Sequence, residues 1–214
     1  MKMTLLQWQK SLKPENQLIV QASTIDGMDG ITESSIGMCY HYFFERGNME
    51  KCQIGNHDKL VLCAISSVTD MRRRKYHYKN RPSILKTLEM NGIQNVKLDP
   101  SIYYSELPKY KFVISPEGNG IDCHRHYEAL IAGCIPIVED GPLVRGKYGN
   151  APILYTDNYS EITPEYLERK YEEMLQQEWD FSHLFLGFWH GEEQKRIMLR
   201  GNYWMMNTIG KPWY

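Results

Sequence analysis

The sequence predicts an α/β protein built on a Rossmann-like parallel sheet flanked by helices, and three observations predict it. Short apolar runs at residues 59–65, 112–115, 134–138 and 153–155 have strand length. They are continuous rather than alternating, as strands covered on both faces are. Segments with helical spacing lie between them, and that alternation implies right-handed crossovers within one parallel sheet. Glycine and proline follow the strand ends, where open parallel sheets hold their ligands.

Taken in order, residues 1–15 predict a short helix broken at Lys13-Pro14, and residues 18–21 a first strand. Asp26-Gly27-Met28-Asp29-Gly30 is a turn cluster, and residues 31–46 predict a helix ending near Gly47. After a polar loop, residues 59–65 (KLVLCAI) are a buried strand, and residues 66–79 read as a strongly basic loop. Ile84, Leu85 and Leu88 give residues 81–91 helical spacing, with Pro82 in the first turn and Gly92 as the stop. Residues 96–98 are a short strand and residues 103–110 contain a turn of helix.

Residues 111–140 read strand, glycine turn, helix, strand. Pro116 to Gly120 make the turn, Tyr127, Leu130 and Ile131 form the apolar stripe of a helix over 121–133, and residues 134–138 return as a strand. Residues 141–142 and 146–152 are loop, and residues 153–155 a last strand. Thr163 caps a helix that starts at Pro164 and runs to about residue 177. Residues 180–190 are irregular and residues 191–206 helical. The expected organisation is an N-terminal segment (1–58), a Rossmann-like core (59–160) and C-terminal helices packed on it (161–214).

At 214 residues the chain suits one large domain, and 42% hydrophobic and 24% charged residues are ordinary for a globular protein. The formal net charge of −1 gives no general pull toward polyanions, which disfavours nucleic acid as the partner. No apolar run reaches the roughly 18 residues a membrane span needs, and no secretory leader is evident. Five widely spaced cysteines, two of them inside apolar runs, fit buried thiols in a cytoplasmic protein.

Two features carry chemistry. Gly118-Asn119-Gly120 before a helix forms an anion-binding corner, where N–H groups and the helix dipole both face the ligand. Arg125 on that helix suits a diphosphate because its fork matches phosphate oxygens, and Glu128 one turn on suits ribose hydroxyls. The bland alternative is a tight turn with an Arg125–Glu128 helix pair, worth about 0.3 kcal/mol.

The second feature is the run from Arg72 to Arg81, which supplies an arginine to a diphosphate, binds RNA, or is a solvated loop. Cys123-His124-Arg125-His126 lacks metal-ligand spacing, because those residues splay around a helix. A dinucleotide reading uses Gly118, Gly120 and the acids Glu139 and Asp140, but the third glycine position holds Cys123. No Asp-x-Asp, GxxxxGK[ST] or GxSxG is present.

The segment KFVISPEGNGIDCHRHYEALIAGCIPIV resembles the donor-binding segment of exostosin-like and related GT-B glycosyltransferases, through Arg125, Glu128, Ala129, Leu130, Gly133, Cys134, Pro136 and Ile137. The upstream KLVLCAISSVTDMRRRKYHYKNRPSILKTL is similar to the strand–loop–helix of those families, and the resemblance covers about residues 59–155. It implies the C-terminal, donor half of a GT-B enzyme. Glu128 would hold the donor ribose and Arg125 the diphosphate, with Arg72 or Arg74 assisting and Gly118, Asn119 and Gly120 against the phosphates or sugar.

The implied reaction moves a sugar from a nucleotide-diphosphate donor to a hydroxyl of a glycan or glycoprotein, with no tightly bound cofactor or metal. Cationic groups would stabilise the departing diphosphate. About 58 residues precede the first core strand, fewer than a second nucleotide-fold half needs. The acceptor side is therefore expected to be reduced, cut away or supplied by a second chain. Asp26, Asp29 and Glu117 are the base candidates, against the plainer role of Asp26 and Asp29 as turn caps. An NAD-linked oxidoreductase and a non-catalytic sugar-nucleotide or glycan-binding module remain the alternatives.

Overall fold

The computed structural model of the protein describes residues 19–21, 31–33, 36–37, 57–185 and 188. Its centre is a four-stranded parallel sheet with helices on both faces. The strands are β3 (Lys59–Leu62), β4 (Tyr110–Ile114), β5 (Ile135–Glu139) and β6 (Leu154–Thr156), neighbours in chain order. Register pairs Val61 with Phe112, Phe112 with Ile135 and Ile137 with Leu154. A separate parallel pair is formed by β1 (Ile19–Gln21) and β2 (Ile31–Glu33).

Strand alternation sorts the core into two layers. Phe112, Ile114, Ile135 and Ile137 face α2 (Arg81–Met90) and α6 (Pro164–Leu175), packing on Ile84, Leu88, Leu167 and Tyr171. Val113 and Val138 face the other way, toward α3 (Pro100–Glu106), α4 (His124–Ile131) and α5 (Pro142–Tyr148). Local chemistry sets the helix ends. The Asn80 side chain accepts from the Ser83 N–H at 3.0 Å and the Thr163 hydroxyl from the Tyr166 N–H at 3.2 Å. After α2 and α4 the chain turns through Gly92 (φ 81°) and Gly133 (φ 80°), a left-handed conformation that a side chain would strain. In both, the residue after the glycine donates back five residues, Ile93 to Leu88 and Cys134 to Ala129, each at 2.8 Å.

Four local expectations are corrected. Residues 96–98 form no strand: Val96 makes one ladder-like bond, to the Cys63 carbonyl at 2.8 Å, and its side chain is 41% exposed. The Asn95 amide takes the strand's place, accepting from the Ile65 N–H at 2.9 Å and donating to the Ile65 carbonyl at 3.1 Å. The helix expected over 31–46 begins instead as β2; of its remainder only residues 36–37 are described. The basic loop contains a helical turn, α1 (Met71–Arg74). Residues 142 and 146–148, parts of the stretches 141–142 and 146–152 read as loop, belong to α5 (Pro142–Tyr148), with proline at its first position and Gly149 after its end. The helices expected over 1–15 and 191–206 lie outside the described residues. Among the described residues, no helix is long and apolar enough to cross a membrane.

Candidate functional site

A cavity of about 660 Å³ opens beyond the carboxyl ends of β3 and β4, between the Gly118–Gly120 turn and the start of α4. Strand β3 ends early at Leu62, and the freed residues feed this site. The Ala64 carbonyl accepts from the Arg125 guanidinium at 2.7 Å, and that guanidinium lies 5.4 Å from the Tyr103 ring centroid. Arg125 is thereby aimed at the cavity by a carbonyl and an aromatic face, and among the described residues it pairs with no carboxylate.

Arg81, buried at the first position of α2, forms the facing wall. Its guanidinium donates to the carbonyls of Glu117 (2.9 Å), Ser66 (3.1 Å) and Pro116 (3.0 Å). Three neutral acceptors orient the group without cancelling its charge. Burial lowers its pKa, and the charge of Arg125 lowers it further, so the two cations already strain against each other. Gly118 lies against this guanidinium: a Cβ there would sit 3.2 Å from an Arg81 terminal nitrogen and 3.4 Å from the Cys123 sulfur. Among the described residues, the N–H groups of Asn119 and Gly120 have no protein acceptor, whereas the Gly118 N–H donates to the Gly120 carbonyl at 3.0 Å.

The α4 side of the cavity is acidic. Glu128 is 5% exposed, and the Tyr104 hydroxyl donates to it at 3.3 Å. Asp122 accepts from the Tyr148 hydroxyl at 2.5 Å, the Tyr127 hydroxyl at 3.2 Å and the Ile36 N–H at 2.9 Å. Burial still raises its pKa above the usual carboxylate range. His124 reaches the Gly37 carbonyl through Nδ1 at 2.7 Å. The short 36–37 segment is thus tied to the start of α4 at two points, and Ile36 lines the cavity. Burial pushes the Cys123 thiol up to about 11.

The residues singled out in the sequence divide between two places. Gly118, Asn119, Gly120, Arg125 and Glu128 all line the cavity. Arg74 and Glu117 do not; they belong to a buried ion cluster behind it. Arg74 binds Asp70 (3.2 Å), Glu117 (3.0 Å) and Glu139 (2.9 Å), Arg73 also binds Glu117, and the Glu139 carboxylate takes the Glu117 N–H at 2.9 Å. Asp140 pairs with Arg145 at 2.6 and 2.8 Å. Asp26, Asp29 and the side chain of Arg72 lie outside the described residues. His126 sits on the inner face of α4 and is fully buried; both ring nitrogens lack a hydrogen-bond partner among the described residues.

Arg81, Tyr103 and Tyr104 are cavity residues that the motif did not isolate. The sequence signals for Arg81 are its place at the end of the basic run and directly before Pro82 at a helix start. Among the described residues, no cluster of three His, Cys, Asp or Glu side chains is placed to hold a metal ion. No protein-family model matches the chain, and a search of curated proteins finds no match. The fold and cavity define an α/β protein with a pocket at the carboxyl edge of its sheet, lined by Arg81 and Arg125 on one side and by Asp122 and Glu128 on the other.

Proposed function

We propose that the cavity binds the nucleoside diphosphate of a sugar donor and that the protein is a glycosyltransferase. The observation that carries this reading is the pair Arg81 and Arg125, two guanidiniums fixed by carbonyls and, among the described residues, in no direct ion pair, beside a glycine turn with open N–H groups. A diphosphate would relieve their repulsion and accept from both, each charged hydrogen bond being worth about 1.5–3 kcal/mol. Glu128, an acceptor across the same cavity, matches a ribose diol. The resemblance of residues 111–140 to exostosin-like glycosyltransferases supports the same reading.

In the transfer, the bond between the anomeric carbon and the diphosphate oxygen breaks and its electron pair stays on the diphosphate. The acceptor hydroxyl oxygen bonds the anomeric carbon and its proton passes to solvent water. Arg81 and Arg125 would stabilise the charge gathering on the leaving diphosphate. The dinucleotide alternative is weakened by Glu139 and Asp140, both committed to arginines outside the cavity. The binding-module alternative keeps one specific support: the cavity carboxylates Asp122 and Glu128 already accept tyrosine hydroxyls.

Calorimetric titration of the full chain with UDP, GDP and NAD tests the binding step. The expected result is binding of a nucleoside diphosphate and none of NAD. Arg125→Ala and Glu128→Ala should each lower affinity about 10- to 100-fold with unchanged circular dichroism. Binding of NAD alone would overturn the proposal. A hydrolysis screen over UDP-, GDP- and TDP-sugars then separates enzyme from module, since the module binds donor without splitting it.

A further inference from the structure

A second groove, about 400 Å³, lies beyond β6 against the start of α2, lined by Tyr78, Lys79, Ser83, Thr87, Asp157 and Asn158. From its chemistry we infer that it is a binding site for a neutral sugar residue of a glycan. Its volume is at the low end of small-ligand sites, roughly 300–1,000 Å³.

The aromatic element is Tyr78, which is 75% exposed, with Tyr76 beside it at 90%. Tyr78 is held on a fixed turn rather than a loose loop. His77 stacks on its ring at 4.7 Å, the His77 N–H donates to the Arg74 carbonyl at 2.9 Å, and the Asn80 N–H donates to the His77 carbonyl at 3.1 Å. The Lys79 ammonium stands 5.6 Å from the ring centroid, a contact loose enough for a ligand to displace. The C–H face of a pyranose is apolar and packs on such a ring, while its hydroxyls need donors and acceptors at the rim.

The groove supplies both. Among the described residues, the Ser83 hydroxyl forms no hydrogen bond, and Asp157 and Lys79 form no direct ion pair, Asp157 lying in the field of Arg145 and Lys79 in that of Asp140. Asn158 uses its carbonyl oxygen to cap the Ser160 N–H at 3.0 Å, which leaves its NH₂ donors for a ligand. A carboxylate accepts from two adjacent hydroxyls, and amide and ammonium donors reach ring or hydroxyl oxygens. One cation, Lys79, and one anion, Asp157, leave the groove nearly neutral, so it favours an uncharged sugar over a phosphate. Ile84 and Tyr159, both buried, give it an apolar floor.

Tyr78 and Lys79 line the groove and Arg81, two residues on, lines the main cavity. The inference stands on the groove's own residues and does not require the donor reading.

The test is calorimetric titration of the full chain with cellohexaose, xylohexaose and mannohexaose, with hexagalacturonate as the acidic comparison and UDP titrated separately. At least one neutral hexasaccharide should bind with Kd about 0.1–1 mM. Tyr78→Ala and Asp157→Ala, both at exposed positions that fold does not depend on, should each weaken it tenfold or more and leave the UDP titration unchanged. No binding of any neutral oligosaccharide, binding untouched by both substitutions, or preference for hexagalacturonate would each overturn the inference. Oligosaccharide binding without UDP binding would remove the donor reading and keep this one.

Discussion

His126 makes the acid stability of this protein a test of its packing. The imidazole is fully buried on α4, its ring 5.6 Å from that of Tyr148, with no hydrogen-bond partner among the described residues. Burial, assisted by the charges of Arg125 and Arg81, pushes its pKa down to about 3 from the ordinary 6.5. The unfolded chain therefore binds one more proton than the folded chain throughout the window between those two values. Stability rises with pH where the unfolded state holds more protons, so this group's contribution is present above pH 6.5 and is lost as pH falls toward 3. The slope approaches 1.36 kcal/mol per pH unit, and integration from pH 7 to pH 5 gives a loss of about 2 kcal/mol. Urea unfolding followed by circular dichroism at pH 7, 6 and 5 measures it. His126→Phe keeps an aromatic ring beside Tyr148 and removes the titration, so its unfolding free energy should fall by about 2 kcal/mol less over that range. His126→Gln gives the same difference in slope if the phenylalanine packs badly. Equal pH dependence in wild type and both variants would refute the burial argument.

Two further substitutions separate scaffold from site. Arg74→Met strands the buried carboxylates Asp70 and Glu139, and breaking such a cluster from one side costs about 3–5 kcal/mol. Calorimetry should show a fall in Tm of roughly 6–20 °C; a change below about 1 kcal/mol would mean that the cluster contributes little. Gly118→Ala places a methyl 3.2 Å from Arg81 and 3.3 Å from Thr69, so the guanidinium must give by a few tenths of an ångström. It should weaken UDP binding about tenfold at a stability change near 1 kcal/mol, and an unchanged affinity would detach Arg81 from the anion site.

The parts of the fold legible in the sequence are those fixed by nearby residues. Continuous apolar runs located β3 to β6, and Pro82, Gly92, Thr163 and Pro164 marked the ends of α2 and the start of α6. Legibility failed where a distant group decides the outcome. Residues 96–98 have strand-like composition, but a strand exists only where a partner offers its ladder, and the side chain of Asn95 occupies that edge of residue 65. Residues 141–149 show the opposite error. Gly-Pro and the closing Gly149 read as punctuation of a loop, although a proline at the first position and a glycine after the end also bracket a helix. Buried Val144 and Tyr148, four residues apart, decide for the helix. In the site, residues 118–128 were legible because one strand–turn–helix carries them. Arg81 was not, because the carbonyls that aim it come from residues 66, 116 and 117.

The basic run from Arg72 to Arg81 shows why charge in a sequence does not name a binding residue. Arg73, Arg74 and Arg81 carry the same group within nine positions. Arg73 and Arg74 meet Glu117, Glu139 and Asp70, and their charge is spent on joining α1 to the ends of β4 and β5. That cluster fixes residue 117, whose carbonyl, with that of Pro116, in turn fixes Arg81. The ion-paired arginines thus hold the peptide that presents Arg81. Ligand affinity and scaffold stability are therefore coupled: loosening Arg74 should blur the position of Arg81, and removing the Arg81 guanidinium takes two donors from the carbonyls of residues 116 and 117, which carry Arg74's partner Glu117.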